Sequence, residues 1–385
     1  MRRFTLAAAL AVALLTQGCS RQLLIGVVVP ETGDAAGYGA AVKMGVKLAF
    51  DEALAAKTAP EGLTVKYIDS RSDPVTAAAV TESLYKEGAL VVIGGVTSAE
   101  AKAMLPVADS RKRILMSPSA SAPELARMSL YFFRVYPSDD LEGVKAADLL
   151  TLTRGVRTVL VLQEDNAYTR GLLPVFMAAL KNQGGELVGS VSLSQPSWQR
   201  EFRDLLTSRQ PQGVYVCGYG PAIIHGLQEL RSAGYQGTVA TTSAINSATV
   251  LKEAGPLAEG VFFPLATVDI TSKEEPIATF VRRFQEVYNL SPDIYAAHGY
   301  DAALSVMYAT ANLRTRAASE IQVRLKGLGE TKGVTGHLAF DDFGNIKHYL
   351  RNFWIHQGRV EDFDAHVDRQ KEEVLRRMRD ILEGR

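Results

Sequence analysis

Hydroxyl side chains gather at the ends of two apolar runs, with a spacing that suits capture of a small anionic group. Leu90-Val91-Val92-Ile93-Gly94-Gly95 leads into Thr97-Ser98-Ala99-Glu100, and Ile114-Leu115-Met116 leads into Ser117-Pro118-Ser119-Ala120-Ser121. A short run without polar alternation predicts a strand covered on both faces. Thr97 followed by Glu100 fits a capping box, so a helix should open there and continue through Ala101, Met104, Leu105 and Val107. Strand, small-residue turn and helix start offer free backbone N–H groups to an anion. Ser119 and Ser121 could equally satisfy the backbone of their own turn. The chemistry on offer is binding. No GxSxG elbow occurs, and no Ser–His–Asp set can be assembled from spacing, so an enzyme is not expected. His225, His298, His337, His348, His356 and His366 show no ligand spacing, so neither a metal nor a cofactor is expected.

The elements that must position these hydroxyls alternate between strand and helix. Leu23 to Val29 predicts a buried strand, followed by a glycine-rich loop from Pro30 to Gly39 and then a helix. Gly33, Gly37 and Gly39 do not give GxGxxG, and the loop holds no P-loop lysine. Leu63 to Asp69 is a second strand, and Asp73-Pro74 caps the helix behind it. After Phe132-Phe133-Arg134 the alternation starts again: a helix over about 139–154, strands at 156–162, 187–191, 214–217, 238–242 and 260–263, and helices between them. Cys217 closes one of these strands as a small buried residue. Two further helices run over 276–289 and 293–313, before closing strands at 338–340 and 349–356. The last segment, His366 to Arg385, predicts an amphipathic helix that either folds back on the body, which is the expectation, or meets a partner. The fold class is α/β: two doubly wound parallel-sheet lobes joined by a three-strand hinge, with a cleft between them.

Composition narrows the partners. Basic and acidic residues are balanced at 42 each, so no basic field argues for nucleic acid. Two cysteines exclude a disulfide framework. Arg2-Arg3, the apolar run Phe4 to Leu15 and Leu15-Thr16-Gln17-Gly18-Cys19 read as a signal peptide over 1–19. A small residue before a terminal cysteine resembles the lipobox of bacterial lipoproteins. That resemblance implies lipidation at Cys19 and a periplasmic or extracytoplasmic protein anchored to a membrane.

An ordered set of stretches carries a wider resemblance. It comprises Ile25-Gly26-Val27-Val28-Val29-Pro30-Glu31-Thr32-Gly33, Asp73-Pro74, Ile93-Gly94 with Thr97-Ser98, and Ser117 to Leu125. Phe133-Arg134 with Pro137-Ser138-Asp139, Asp165-Asn166-Ala167-Tyr168, Gly218-Tyr219-Gly220, Tyr295-Ala296-Ala297 and Gly333-Val334-Thr335-Gly336 complete it. Together they resemble the type I periplasmic binding proteins of the leucine/isoleucine/valine branch, solute receptors of ABC importers. The resemblance implies lobes of 22–138 with 268–337 and 139–267 with 338–364, a terminal helix over 365–385, and hinge crossings near 136–140, 264–270 and 335–340. It implies a small polar organic ligand (a branched-chain amino acid, amide or carboxylate) and permease subunits in the membrane as partners. Ser98 would donate to a ligand carboxylate beside Thr97, Ser121 would serve both carboxylate and amine, and Ser119 would give a backbone carbonyl to the amine. Tyr38, Tyr168 and Tyr219 would line the cleft. A regulatory or sensory lipoprotein of the same fold, acting on a partner such as a cell-wall synthase, is the alternative.

One position departs from the branch. Where its amino-acid receptors carry an acid for the ligand ammonium, this chain has Ser243, and no Asp or Glu occurs between Glu229 and Glu253. An unpaired buried ammonium costs several kcal/mol by desolvation. Either the ligand has no amine or a carboxylate arrives from elsewhere, and the first is the expectation.

Overall fold

The computed structural model describes residues 22–266 and 272–382. Residues 1–19 with Cys19, and most of the second crossing near 264–270, lie outside the described residues. Five strands, β1 (Leu23–Val29), β2 (Leu63–Asp69), β3 (Val91–Gly94), β4 (Ile114–Ser117) and β5 (Phe132–Arg134), form a parallel sheet ordered β2-β1-β3-β4-β5. The second sheet is ordered β12-β11-β10-β9-β8-β6-β7. It comprises β6 (Thr158–Gln163), β7 (Glu186–Ser192), β8 (Gly213–Cys217), β9 (Thr238–Thr241), β10 (Val261–Ala266), β11 (Leu350–His356) and β12 (Arg359–Asp362). Only the β10–β11 and β11–β12 pairs run antiparallel. Every residue of β1, β3 and β4 is buried, as continuous apolar runs require when helices cover both faces of a parallel sheet.

In both sheets the crevice beyond the carboxyl ends of the central strands is framed by helix starts, and these are capped as the sequence predicts. Glu100 N donates to Thr97 Oγ1 at 3.2 Å and Thr97 N to Glu100 Oε2 at 3.0 Å. Asp73 accepts from Thr76 N at 2.9 Å and Val75 N at 3.3 Å. In the second lobe Asn166 Oδ1 accepts from Thr169 N at 2.9 Å.

Helix Ala36–Ala55 takes in the last four residues of the expected loop, so Tyr38 stands on its first turn instead of in a coil. A methyl group on Gly39 would fall 1.8 Å from the Pro30 carbonyl oxygen, so this glycine serves close packing rather than a mobile loop. Further along, the same helix crosses helix Ile294–Thr310 at two glycines. A Cβ on Gly45 would sit 1.9 Å from Ala296 O, and one on Gly299 would sit 2.4 Å from Val42 O. This close crossing sets Tyr38 edge-on to Tyr295, with ring centroids 4.8 Å apart.

Four expectations need correction. The helix over 139–154 is α-helical only over Asp139–Asp148 and ends in a wider π turn, Leu149–Thr153. No strand forms at 338–340; Phe340 makes only an isolated bridge to Ile346. Residues 344–346 bond to the first sheet, Arg134 N to Gly344 O and Ile346 N to Arg134 O, so the third crossing falls after 346 rather than at 335–340. The terminal helix, Phe363–Leu382, does not fold back along its length. Phe363 and His366 pack against Trp354, whereas Val374, Leu375 and Met378 are each more than half exposed. Dense charge on that helix leaves too narrow an apolar stripe to hold it on the body. Among the described residues no helix is long and apolar enough to cross a membrane.

Two outcomes follow from this packing. Gly45→Ala should destabilise the soluble chain by more than about 2 kcal/mol, because backbone must move to admit the methyl; urea unfolding measures it, and a loss below 0.5 kcal/mol, taken as about the noise of a surface substitution, contradicts it. His298 is fully buried, and burial pushes its pKa from 6.5 down to about 3. The fold thus holds the neutral ring, and the unfolded chain takes up the extra proton below 6.5. This part of the stability is complete above that pH and is lost as pH falls towards 3. His298→Gln should flatten the dependence in this window by up to one proton.

Candidate functional site: a hydroxyl-lined cleft between the lobes

The hydroxyl-bearing strand ends of the first sheet face the second lobe across a small cavity, which in this closed arrangement has a volume of about 20 Å³. Seven of the eight expected site residues line it: Tyr38, Thr97, Ser119 and Ser121 from the first lobe, and Tyr168, Tyr219 and Ser243 from the second. Ser98 stands just behind the wall. Its Oγ accepts from Ala122 N at 3.2 Å, tying the two strand-end loops together, and its N donates to Tyr219 Oη at 3.4 Å. Ser119 Oγ donates to Val96 O at 2.7 Å, so the local role of that hydroxyl is met by its own sheet edge.

The lobes touch across the cavity through polar groups. Tyr38 Oη accepts from Gly220 N at 2.8 Å and donates to Ala244 O at 3.1 Å, so one phenol grips two elements of the facing lobe. Ala248 N donates to Asp293 Oδ2 at 3.2 Å nearby. Aromatic contacts continue the grip, with Tyr38 and Tyr219 centroids 5.9 Å apart and Tyr168 stacked on Tyr219 at 5.0 Å. Burial pushes the phenols of Tyr38, Tyr168 and Tyr219 well up, so all three stay protonated donors.

Sequence reasoning missed Tyr136 and Tyr295 in the lining, and behind the lining it missed two carboxyls. Glu142 is 2% exposed and accepts three hydrogen bonds: Ser243 N and Ser243 Oγ, each at 2.8 Å, and Tyr168 Oη at 3.2 Å. Asp139 is fully buried one turn earlier on helix Asp139–Asp148, and its N donates to Ser121 O at 2.9 Å. Neither Asp139 carboxylate oxygen has a hydrogen-bond partner. Burial raises the pKa of both groups; Glu142 raises that of Asp139 further, and the Ser121 hydroxyl and the Arg134 charge oppose the rise. The guanidinium of Arg134 gives Nε to Asn345 Oδ1 at 2.7 Å and Nη1 to the carbonyls of Ala122 and Ala120 at 3.0 and 3.3 Å, while its buried Nη2 has no hydrogen-bond partner and its charge offsets that of Asp139. A signal was available: Asp139, Glu142, Gly143, Ala146 and Ala147 share the buried stripe of that helix, and a carboxyl among small inward residues is costly without a task.

Two sheets with a shared cleft, hydroxyls at strand ends and a phenol spanning the gap agree with a family model described as periplasmic binding protein, which matches residues 22–359. The chain belongs to that family. Among relatives of this periplasmic binding protein, the Leu/Ile/Val-binding protein homolog 3 of Brucella melitensis is 24% identical over 84% of the chain and 88% of the relative. The leucine-, isoleucine-, valine-, threonine- and alanine-binding protein of Pseudomonas aeruginosa is 22% identical over 83% and 86%. Among solved structures, the branched-chain amino acid transporter substrate-binding protein LivJ of Streptococcus pneumoniae, in complex with isoleucine, superposes with a TM-score of 0.81 at 23% identity. That match covers 89% of this chain and 98% of the other. A solute-binding protein of an R. palustris ABC transporter, in complex with benzoate, gives 0.79 at 20% identity, covering 89% and 95%. These likenesses establish the type I, two-lobed fold of the leucine/isoleucine/valine-binding branch.

Tyr38→Phe tests the grip across the cleft. It leaves Gly220 N and Ala244 O without their shared partner, so the closed arrangement should lose about 1–3 kcal/mol. Small-angle scattering should show a larger radius of gyration than for the parent chain; an unchanged radius contradicts the role given to the phenol.

Proposed function

We propose that this protein is an extracytoplasmic solute receptor of an ABC importer. It closes on a small polar organic molecule held between its lobes and presents it to permease subunits in the membrane. The observation that carries the reading is the Tyr38 bridge to Gly220 and Ala244, which joins the lobes around a cavity lined by hydroxyls and phenols. A ligand that touches both walls adds its own contacts to that bridge, and the added free energy selects the closed population. Thr97, Ser119 and Ser121 offer polar contacts from one lobe, with Ser98 steadying them; Tyr168, Tyr219 and Ser243 offer them from the other. The relatives named for branched-chain amino acids, and the structure holding benzoate, support this class of ligand. A lipid on Cys19, supported by the lipobox-like end of the leader, would hold the receptor at the membrane surface.

A second reading, a lipoprotein that acts on a protein partner, draws support from the exposed Val374, Leu375 and Met378 on the terminal helix. A thermal-shift screen of the chain from Gln22 separates the two. The panel holds branched-chain amino acids, their 2-oxo acids, amides and aromatic carboxylates. A true ligand at about 100 times its Kd adds about 2.7 kcal/mol, a rise of several degrees in melting temperature. At least one compound should give it, and silence throughout contradicts the receptor.

A further inference from the structure

Helix Phe363–Leu382 lies beyond the segment that matches the family, which ends at residue 359, so the receptor reading does not account for it. Its first turn is fixed to the second lobe. Phe363 packs on Phe262 and Trp354 with ring centroids 5.0 and 5.3 Å away. Asp364 accepts from Asn352 N and Nδ2, each at 3.0 Å, and pairs with Lys145 at 3.1 Å. From Asp368 to Arg379 every residue is exposed, including the apolar Val374, Leu375 and Met378. A free helix of about 12–15 residues is marginal in water, so this projecting length needs a cover. Val367, Lys371, Val374, Met378 and Ile381 recur at alternating steps of four and three, with Leu375 beside them. That is the period of a coiled-coil seam, narrower than the stripe that docks a helix on a globular body.

We propose that this seam pairs antiparallel with the same helix of a second copy of the chain. Charge selects that partner. Residues 364–373 hold four acidic and two basic side chains, and residues 374–385 hold two acidic and four basic ones. Antiparallel pairing lays each half over its opposite, whereas parallel pairing lays like over like. Because the helix as a whole is balanced, an anionic lipid surface gains no attraction from it. Shape agrees with charge. Each helix springs from a whole lobe, and paired helix axes stand only about 8–10 Å apart, so parallel pairing would drive the two bodies together. Antiparallel pairing sets them at opposite ends of a rod about 30 Å long. Val374 of one copy then meets Met378 of the other, with the two-fold axis near Arg376. Lys371 puts a charge into the seam, which fixes its register at a cost in affinity. The root rests on Phe262, at the start of β10, whereas the cleft lies beyond the carboxyl ends of the parallel strands, so pairing leaves the cleft open.

Sedimentation equilibrium on the chain from Gln22 tests the pairing. The seam is smaller than a standard interface, so a dimer with a Kd of about 10–100 μM is expected. Val374→Glu with Met378→Glu should leave a single copy at every concentration. The melting temperature should not change, because both side chains are exposed in the lone chain. Lys371→Leu should tighten the dimer about tenfold by removing the charge from the seam. A spin label at Asp368→Cys reads the direction, since the native Cys217 is buried. Antiparallel pairing about Arg376 separates the two labels by about 25 Å, from a rise of 1.5 Å per residue. A separation near 10 Å, the spacing of parallel axes, overturns the proposal. So does a parent chain that stays single together with Lys371→Leu, or a dimer that survives the two glutamates. Capture of a single parent chain on phosphatidylserine vesicles would assign the face to a membrane and overturn it as well. None of these outcomes bears on the ligand screen, because the cleft is the same in one copy or two.

Discussion

The Tyr38 phenol is held at 2.8 Å from Gly220 N and 3.1 Å from Ala244 O, and the arrangement of the cleft depends on that double hold. A hydroxyl that accepts from one loop and donates to another fixes the facing lobe in both distance and orientation. The phenol can stand there only because helix Ala36–Ala55 starts early, closes over Pro30 at Gly39 and crosses its neighbour at Gly45 and Gly299. Any side chain at those glycines would push the helix away from its partners, and the hydroxyl with it. Small residues deep in one lobe therefore set the reach of a group at its surface. Each bond across the cleft is worth only about 1 kcal/mol net, so the two lobes are poised rather than locked. Ligand contacts of similar size can then decide between open and closed.

Charge lies buried behind the cavity wall. Two carboxyls lie on one turn of helix Asp139–Asp148, both buried, and the buried Arg134 charge offsets that of Asp139. Folding carries the cost of burying them, and the hydroxyls of Ser243 and Tyr168 offset part of it at Glu142. At Asp139 the Ser121 hydroxyl and the Arg134 charge offset part of it. Burial pushes up the pKa of both carboxyls while pushing that of Arg134 down to about 10, so the same desolvation weakens charge of either sign in the cluster.

The sequence made legible whatever depends on near neighbours. Alternating apolar runs and helices, the Thr97–Glu100 and Asp73–Pro74 caps, and hydroxyls at strand ends are all local, and the structure keeps them. Asp301 accepts from Val334 N, Thr335 N and Thr335 Oγ1, a structural role within its own lobe. Glu142 escaped because its partner, Ser243, lies 101 residues away and meets it only once both elements dock on the second sheet. A search confined to the segment around Ser243 could not find an acid supplied by a different helix. Tyr295 was visible in the Tyr295-Ala296-Ala297 stretch, yet only the Gly45–Gly299 crossing aims it at the cleft. The terminal helix went the other way: its apolar spacing suggested docking, and the charge interleaved with it prevented a broad enough face.

The most direct test of a cleft that closes on its ligand is the distance between the lobes. Spin labels at Val75→Cys and Arg170→Cys stand on exposed helix starts on opposite sides, and the native Cys217 is buried. Pulsed electron resonance would be recorded alone and with the compound that most raises the melting temperature. A distribution that includes a longer distance alone, and collapses to the shorter one with the compound, is what this account predicts. One unchanged distance in both samples would contradict it.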